Sequence, residues 1–409
     1  MTRIEREHAG KGTRSEICAV DLFCGAGGLT HGLERAGIDV RLGVDIDPAC
    51  EYPFTVNNSA NFLLKSVEDL KAGDLERVFR KNCLRLLAGC APCQTFSTYN
   101  QRATPDDKRW WLLLQFARLV EEISPELVTM ENVPRLRDQG VFEEFLGVLH
   151  DANYHVHIEI VKCEEYGIPQ RRQRLVLLAS QLGSIRLLSP SEFGAERVTV
   201  RESIADLPPL RAGETDGEDP LHQASNLSDL NRKRIEASKP GGTWRDWQKT
   251  LVAECHKKKT GKTYPSVYGR MCWDEPAPTI TTQFFGFGNG RFGHPAQDRA
   301  ISLREGAILQ SFPRDYEFSP PGRPIYKKAV GRMIGNAVPP RLGEVIGLSI
   351  IHHVERWTES LASITSANLG TTAMERDMER EVLKKDGHLP KELRGRLEAP
   401  SANGTVGRV

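Results

Sequence analysis

The chain lacks the marks of several broad classes. None of its apolar runs approaches the roughly 18 residues of a spanning helix, and Met1 to Lys11 is polar and charged, without the apolar core of a secretion signal. The expectation is an intracellular, cytoplasmic protein with no membrane partner. Cysteine does not form a disulfide framework: nine residues, an odd number, are scattered over 409 positions, which suits reduced thiols. Cys90-x-x-Cys93 has no second pair at knuckle spacing, Cys255 and Cys272 being too far apart, so no metal site is expected. A charge of one sign is also missing. The 55 basic and 54 acidic residues leave a net +1, but binding to a polyanion depends on where charge lies, not on its sum. No internal repeat is visible. With 39% apolar and 27% charged residues, the composition is that of a globular protein with room for two or three domains.

What the chain does contain begins with a strand, a glycine turn and a helix. Residues 17 to 23 are an apolar run of buried-strand type. Cys24-Gly-Ala-Gly-Gly28 follows, and a helical pattern through Leu29, Leu33 and Ala36 stops at Gly37. Glycines in such a turn let a ligand approach the backbone, and a helix amino terminus favours an anionic group. A second strand, Val40 to Ile46, ends in Asp45-Ile-Asp47, roughly 20 residues after the glycines, where an acidic residue of a nucleotide-binding unit meets ribose hydroxyls. Thr30 stands where the third glycine of a dinucleotide fingerprint would be. That points away from a dinucleotide and is compatible with a nucleoside cofactor lacking a pyrophosphate. A plain tight turn is the alternative.

Leu84 to Ala88 reads as a short buried strand broken by Gly89 and Pro92, which sets the Cys93 thiol at the ligand-binding edge of an open α/β sheet. Cys93 is the candidate nucleophile; a buried structural cysteine or a redox pair with Cys90 are the alternatives. After a helical pattern between Lys108 and Glu122, the strand Leu127 to Met130 delivers Glu131-Asn132-Val133-Pro134 to the same edge. Two strands thus end in a thiol and a carboxylate. Further on, Tyr154, Val156, Ile158 and Ile160 alternate as one strand face, with His155 and His157 on the polar face rather than on a metal. Arg172 and Arg174, two apart before the strand Leu175 to Ala179, point the same way if that segment is extended. Such a guanidinium pair can hold a base edge or a phosphate; a charged loop is the alternative.

From Leu182 to Asp274 the sequence turns loop-rich, with Pro208-Pro209 and an acidic run from Gly213 to Asp219. Its second half is basic: between Arg232 and Arg270, eleven basic residues, among them Arg245, Lys257 and Lys258, face three acidic ones. Interleaved Trp244, Trp247, Tyr264 and Tyr268 suggest a nucleic-acid surface, a solvated face being the alternative. Ordered-looking sequence resumes with Pro278-Thr-Ile-Thr-Thr-Gln283, a helix from Leu303 to Leu309, and an apolar helix through Leu342, Val345, Ile346, Leu348 and Ile351. The tail beyond Thr358 is polar, with one short helix expected around Met374 to Lys385.

Taken in order, Asp21-Leu-Phe-Cys-Gly-Ala-Gly-Gly28, Pro92-Cys93-Gln94, Glu131-Asn132-Val133, Gln170-Arg-Arg-Gln-Arg174 and Gly335-Asn336-Ala-Val-Pro339 resemble the DNA (cytosine-5) methyltransferase family over about residues 16 to 355. The resemblance implies an α/β fold: a Rossmann-like class I methyltransferase catalytic domain with a smaller loop-rich target-recognition domain. The expected organisation is a polar extension 1–15, catalytic domain 16–181, recognition domain 182–276, a return with hinge 277–357, and a tail 358–409. It implies S-adenosylmethionine as cofactor and duplex DNA as partner, with Cys93 as nucleophile and Glu131 as the acid at N3 of cytosine. Arg172 and Arg174 position the base, Asn132 arranges the site, and Gln94 opens the mobile loop that runs to Arg109. In the cofactor pocket the resemblance implicates Phe23, Gly25, Gly27, Gly28, Asp45 at the ribose, Ile46 at the adenine, Pro92 and Asn336. Ser66 aligns where the family commonly has an acidic residue, with Glu68 available after a shift. DNA contacts are expected from Ser97, Gln101, Arg102 and Thr279, together with Arg245, Lys257 and Lys258.

A transfer-RNA cytosine methyltransferase built on the same motifs, a silent DNA-binding regulator and a Cys90–Cys93 redox protein are the rival readings. The recognition segment and its basic half favour duplex DNA. Cys90 is also expected to form an inhibitory disulfide with Cys93 under oxidation. With only a short stretch ahead of the first strand, a compact, monomeric enzyme of prokaryotic or phage type is expected, accompanied by a restriction endonuclease or acting alone.

Overall fold

The computed structural model describes residues 16–92, 110–258 and 261–370. β1 (Ile17–Leu22) is buried along its whole length, as a strand covered on both faces must be. The glycine turn leads into α1 (Gly28–Ala36), which Gly37 ends in the left-handed conformation. β2 (Asp39–Asp45), α2 (Glu51–Asn57) and β3 (Asn61–Leu64) follow, then α3 (Ala72–Glu76), β4 (Leu84–Gly89), α4 (Trp110–Ile123) and β5 (Leu127–Asn132). Next come α5 (Gly140–Asp151), β6 (His155–Lys162), β7 (Gln170–Arg171) and β8 (Gln173–Ser180).

These strands, β7 apart, form one seven-stranded sheet in the order β3-β2-β1-β4-β5-β8-β6. β1 pairs in parallel with β2 and with β4, whereas β8 runs antiparallel between β5 and β6. The chain winds outward in both directions from β1 and β4. A crevice opens at the carboxyl ends of strands at such a switch point. Alternation along the strands feeds two cores: Leu84, Leu86 and Ala88 of β4 enter one, and Leu87 enters the other. α1 covers the first core and α4 and α5 the second, giving a helix–sheet–helix sandwich.

The first described helices after β8 are short: α6 (Val200–Ile204), α7 (Asp229–Glu236) and α8 (Glu254–Lys257). The two-residue β9 (Ala277–Pro278) pairs in parallel with β7, and α9 (Leu303–Leu309), α10 (Lys327–Asn336) and α11 (Pro340–Gly370) follow. α11 lies against α1 on the first core.

Two boundaries differ from expectation. A third core joins Val200, Ile204, Leu221 and Met271 to Ile280, Phe284, Leu309 and Ile334, so the packing unit runs through the break expected at 276. Residues of α9 and α10 supply much of this third core. The tail expected from Thr358 is still helical to Gly370. Trp357 packs against the first core, and the Thr358 and Ser360 hydroxyls bond carbonyls four residues back, which suits a polar helix continuing into solvent. The helix expected at Met374 to Lys385 lies outside the described residues. Among those described, no helix is long and apolar enough to cross a membrane, and no cluster suited to a metal ion occurs.

Candidate active site

The crevice widens into a cleft of about 2090 Å³ between the sheet edge and the third core. On the β1–β2 side the turn is built from positive φ angles at Phe23, Gly25 and Gly27, of 59°, 53° and 89°. The Gly25 N–H donates to Asp45 Oδ2 at 2.8 Å and the Asp47 N–H to Asp45 Oδ1 at 2.9 Å. Each oxygen of Asp45 therefore holds one backbone donor and keeps a lone pair. Burial raises this carboxyl above its usual range, and those donors oppose the rise. Beside it Ile46 is 70% exposed, a large apolar side chain on the cleft wall. Ser66 caps a short turn by accepting from the Glu68 N–H at 3.3 Å, and both residues line the cleft. Phe23, Gly25, Pro92 and Asn336 line it as well.

Gly27 and Gly28, expected at the ligand, are closely packed. A Cβ at Gly28 would stand 2.3 Å from the Val338 carbonyl, and one at Gly27 2.4 Å from Asn58 Nδ2. Asp21 is the residue the sequence reading left without a role. It is fully buried, accepts from Thr30 Oγ1 at 2.7 Å through Oδ2, and has no partner at Oδ1. Burial pushes its pKa up to about 7. An acid inside an otherwise apolar strand was the available signal, and Thr30, at the missing third glycine, is its donor.

On the β4–β5 side, Glu131 is 3% exposed. Its Oε2 accepts from Cys90 Sγ at 3.2 Å. Its Oε1 stands 3.0 Å from Arg174 Nε, a charge pair whose N–H is not aimed at that oxygen, which has no hydrogen-bond partner. Asn132 donates to the Ala91 carbonyl at 3.0 Å and accepts from the Val133 N–H at 2.8 Å, tying the start of the Cys93 loop to β5.

Arg172, at the break between β7 and β8, and Arg174, on β8, both line the cleft, but they are held differently. Arg172 is buried and donates to the carbonyls of Ile280 at 3.0 Å, Gly335 at 3.1 Å and Ala337 at 3.3 Å. Burial, then the neighbouring Arg174 charge, lowers its pKa to about 9. Arg172 is a clamp between the sheet and the third core, and Arg174 is the arginine that reaches Glu131. Cys93, Gln94, Ser97, Gln101 and Arg102 lie outside the described residues.

Across the cleft stand Thr279, whose Oγ1 donates to the Arg171 carbonyl at 2.7 Å, and Lys258 and Tyr264. The basic, aromatic segment is only in part a surface. Trp244 and Trp247 are each 7% exposed; Trp244 stacks on His256 with ring centres 4.5 Å apart, and its indole N–H donates to the Tyr264 carbonyl at 3.0 Å. Arg234 and Arg270 are buried, and Arg270 bonds the carbonyls of Ile235, Ser238, His294 and Gln297. Loops without long elements use these groups to build a small core of their own. Arg245, Lys257 and Lys258 remain exposed; Lys257 pairs with Glu254 at 2.5 Å, and Arg245 covers the Trp244 ring at 5.5 Å.

Residues 17–352 match the family model of the C-5 cytosine-specific DNA methylases. The chain belongs to that family. It is 50% identical over 339 residues to the Type II methylase M.HgiDII of Herpetosiphon aurantiacus, covering 82% of this chain and 95% of that one. With the Type II methyltransferase M1.BsuMI of Bacillus subtilis the identity is 33% over 356 residues, covering 82% and 81%. A solved DNA modification methyltransferase encoded within an E. coli prophage shares the fold at a TM-score of 0.63 and 23% identity, covering 82% of this chain and 99% of that one. The fold is therefore that of the Rossmann-like methyltransferases, and the chain is a DNA (cytosine-5-)-methyltransferase. In this methylase Phe23, Gly25, Asp45, Ile46, Ser66, Pro92, Glu131, Asn132, Arg174, Thr279, Lys258 and Asn336 all border one cleft.

Proposed function

We propose that the chain methylates carbon 5 of a cytosine flipped out of duplex DNA at a specific sequence, through a covalent adduct with Cys93. The observation that carries this reading is the shared cleft: the Asp45 carboxylate, Glu131 and the Cys90–Pro92 approach to Cys93 all open onto it. The side chains fit S-adenosylmethionine. Asp45 keeps lone pairs for the ribose hydroxyls, Ile46 offers an apolar face for the adenine, Asn336 lines the same cleft, and the orphaned Asp21 Oδ1 is a buried acceptor. Bound there, the cofactor supplies the sulfonium methyl group that carbon 5 accepts.

Carbon 5 of cytosine is too weak a nucleophile to take that group unaided. The Cys93 thiolate adds to carbon 6, and the Glu131 carboxyl gives a proton to N3 as charge builds on the ring. Arg174 orients Glu131, while Asn132 fixes the approach to Cys93. Loss of the carbon-5 proton then expels the thiolate. Because the reacting atoms are inaccessible in a stacked duplex, the base must leave the helix, with residues 94–109, including Ser97, Gln101 and Arg102, as the segment that closes over it. Thr279, Arg245, Lys257 and Lys258 contribute the DNA-facing side, and a cognate restriction endonuclease is the partner that a Type II methylase implies.

The test is methyl transfer from labelled S-adenosylmethionine to unmethylated plasmid and, separately, to unmodified transfer RNA, followed by bisulfite sequencing. Label in DNA at one sequence context, absent with Cys93→Ala, is the expected result. Label in transfer RNA alone would replace this reading by its rival.

A further inference from the structure

Glu131 is buried, yet one of its oxygens is bound and the other is not. Oε2 accepts from the Cys90 thiol at 3.2 Å, whereas Oε1 lacks a hydrogen-bond partner and stands 3.0 Å from Arg174 Nε, both side chains lining the cleft. Cys90 reaches this place because β4 and β5 pair in parallel, Gly89 beside Met130, so the next residue of each strand lies alongside the other. Among the described residues, the other titratable groups beside the carboxyl are Arg174 from β8, Arg172 from the junction before it, and the Cys163 thiol from the turn after β6.

We infer that Cys90 is a positioning residue for Glu131: its S–H···Oε2 bond turns the carboxyl so that Oε1 is the oxygen presented to the cytosine ring. This rests on the proposed role of Glu131 as the proton donor to N3. A thiol suits the task because it is a weak donor. It fixes the orientation without strongly favouring the anion, whereas the donor to N3 must carry a proton. A hydroxyl in its place would hold the carboxylate more firmly, and a methyl group would not hold it at all.

The experiment is the pH profile of single-turnover methyl transfer to plasmid DNA by wild type, Cys90→Ala and Cys90→Ser, with a melting temperature for each. Cys90→Ala is expected to lose roughly three- to tenfold in rate. Its alkaline limb should move to higher pH, because a donor to the carboxylate is gone. Cys90→Ser should move the same limb to lower pH. A merely structural cysteine would lower melting temperatures without displacing the limb in opposite directions. If Cys90→Ala fails to fold, the Cys90→Ser limb carries the decision alone. Profiles that coincide with wild type, or limbs displaced the same way in both variants, overturn the inference and leave the methylation reading standing. A wild type that transfers no methyl group overturns that reading, and the inference with it.

Discussion

The sheet-edge crevice and the loop-rich unit facing it both bury polar groups, but to different ends. In the crevice, Asp21 and Glu131 each keep one oxygen without a hydrogen-bond partner beside a cleft. In the facing unit, Arg270 is surrounded by four carbonyls, and Trp244 and Trp247 bond their indole N–H groups to Tyr264 and Ser238. An unsatisfied buried polar atom is costly, and one held beside a cleft is what a ligand can satisfy. The Arg270 and indole bonds of the second region instead give shape to loops that have few regular elements, although His256 Nε2 beside Trp244 is also without a partner. Chemistry is therefore expected to be sensitive in the first region and folding in the second.

The largest effect should come from the crevice. Glu131→Gln keeps the size of the side chain but removes its proton, and kcat should fall by about 10² to 10⁴ with little change in melting temperature. Equal loss of both would make Glu131 a structural residue. Next, Trp244→Ala should destabilise the protein by about 3 kcal/mol, read by denaturant unfolding, because it empties the small aromatic core. Unchanged stability with weakened DNA binding would instead restore Trp244 as a base-stacking platform and erase the contrast.

Asp21 gives a pH signature. Burial raises its folded pKa to about 7 from an ordinary 3.8. The proton-bound form is thus favoured by folding, and this contribution, complete below the ordinary value, is lost as pH rises through about 7. Asp21→Asn protein, free of cofactor, should lack that loss and melt a few degrees above wild type at pH 8, but not at pH 4. Parallel melting curves at both pH values would contradict the assignment. The smallest effect belongs to the exposed rim: Lys258→Ala should weaken DNA binding only a few-fold and reduce the log–log salt slope by about one, since a phosphate contact is uniform across sequences.

Legibility in the sequence divided along the same line. The strand, turn and helix from Ile17 to Gly37 could be read because its signals are local: a buried run, a glycine turn and a left-handed stop. The places of Asp45 and Glu131 followed from strand ends. The carbonyls that hold Arg172 could not be read, because they lie as far as 165 residues away, in the backbone at Ala337. Trp244 and Trp247 looked like a surface because nothing local reports that His256 and Ser238 close over them. The helix beyond Thr358 was missed because its polar composition resembles a tail, although Trp357 anchors it to the first core.

The central claim is the covalent Cys93 adduct in a cleft where Glu131 serves the same ring. Its most direct test uses a duplex carrying 5-fluorocytosine at the site that bisulfite sequencing identifies, incubated with S-adenosylmethionine. Fluorine at carbon 5 cannot leave as a proton does, so the adduct cannot resolve. Wild type should give a protein–DNA species that survives denaturing electrophoresis and retains the methyl label, and Cys93→Ala should give none. Label transferred to DNA without any such species would contradict the account.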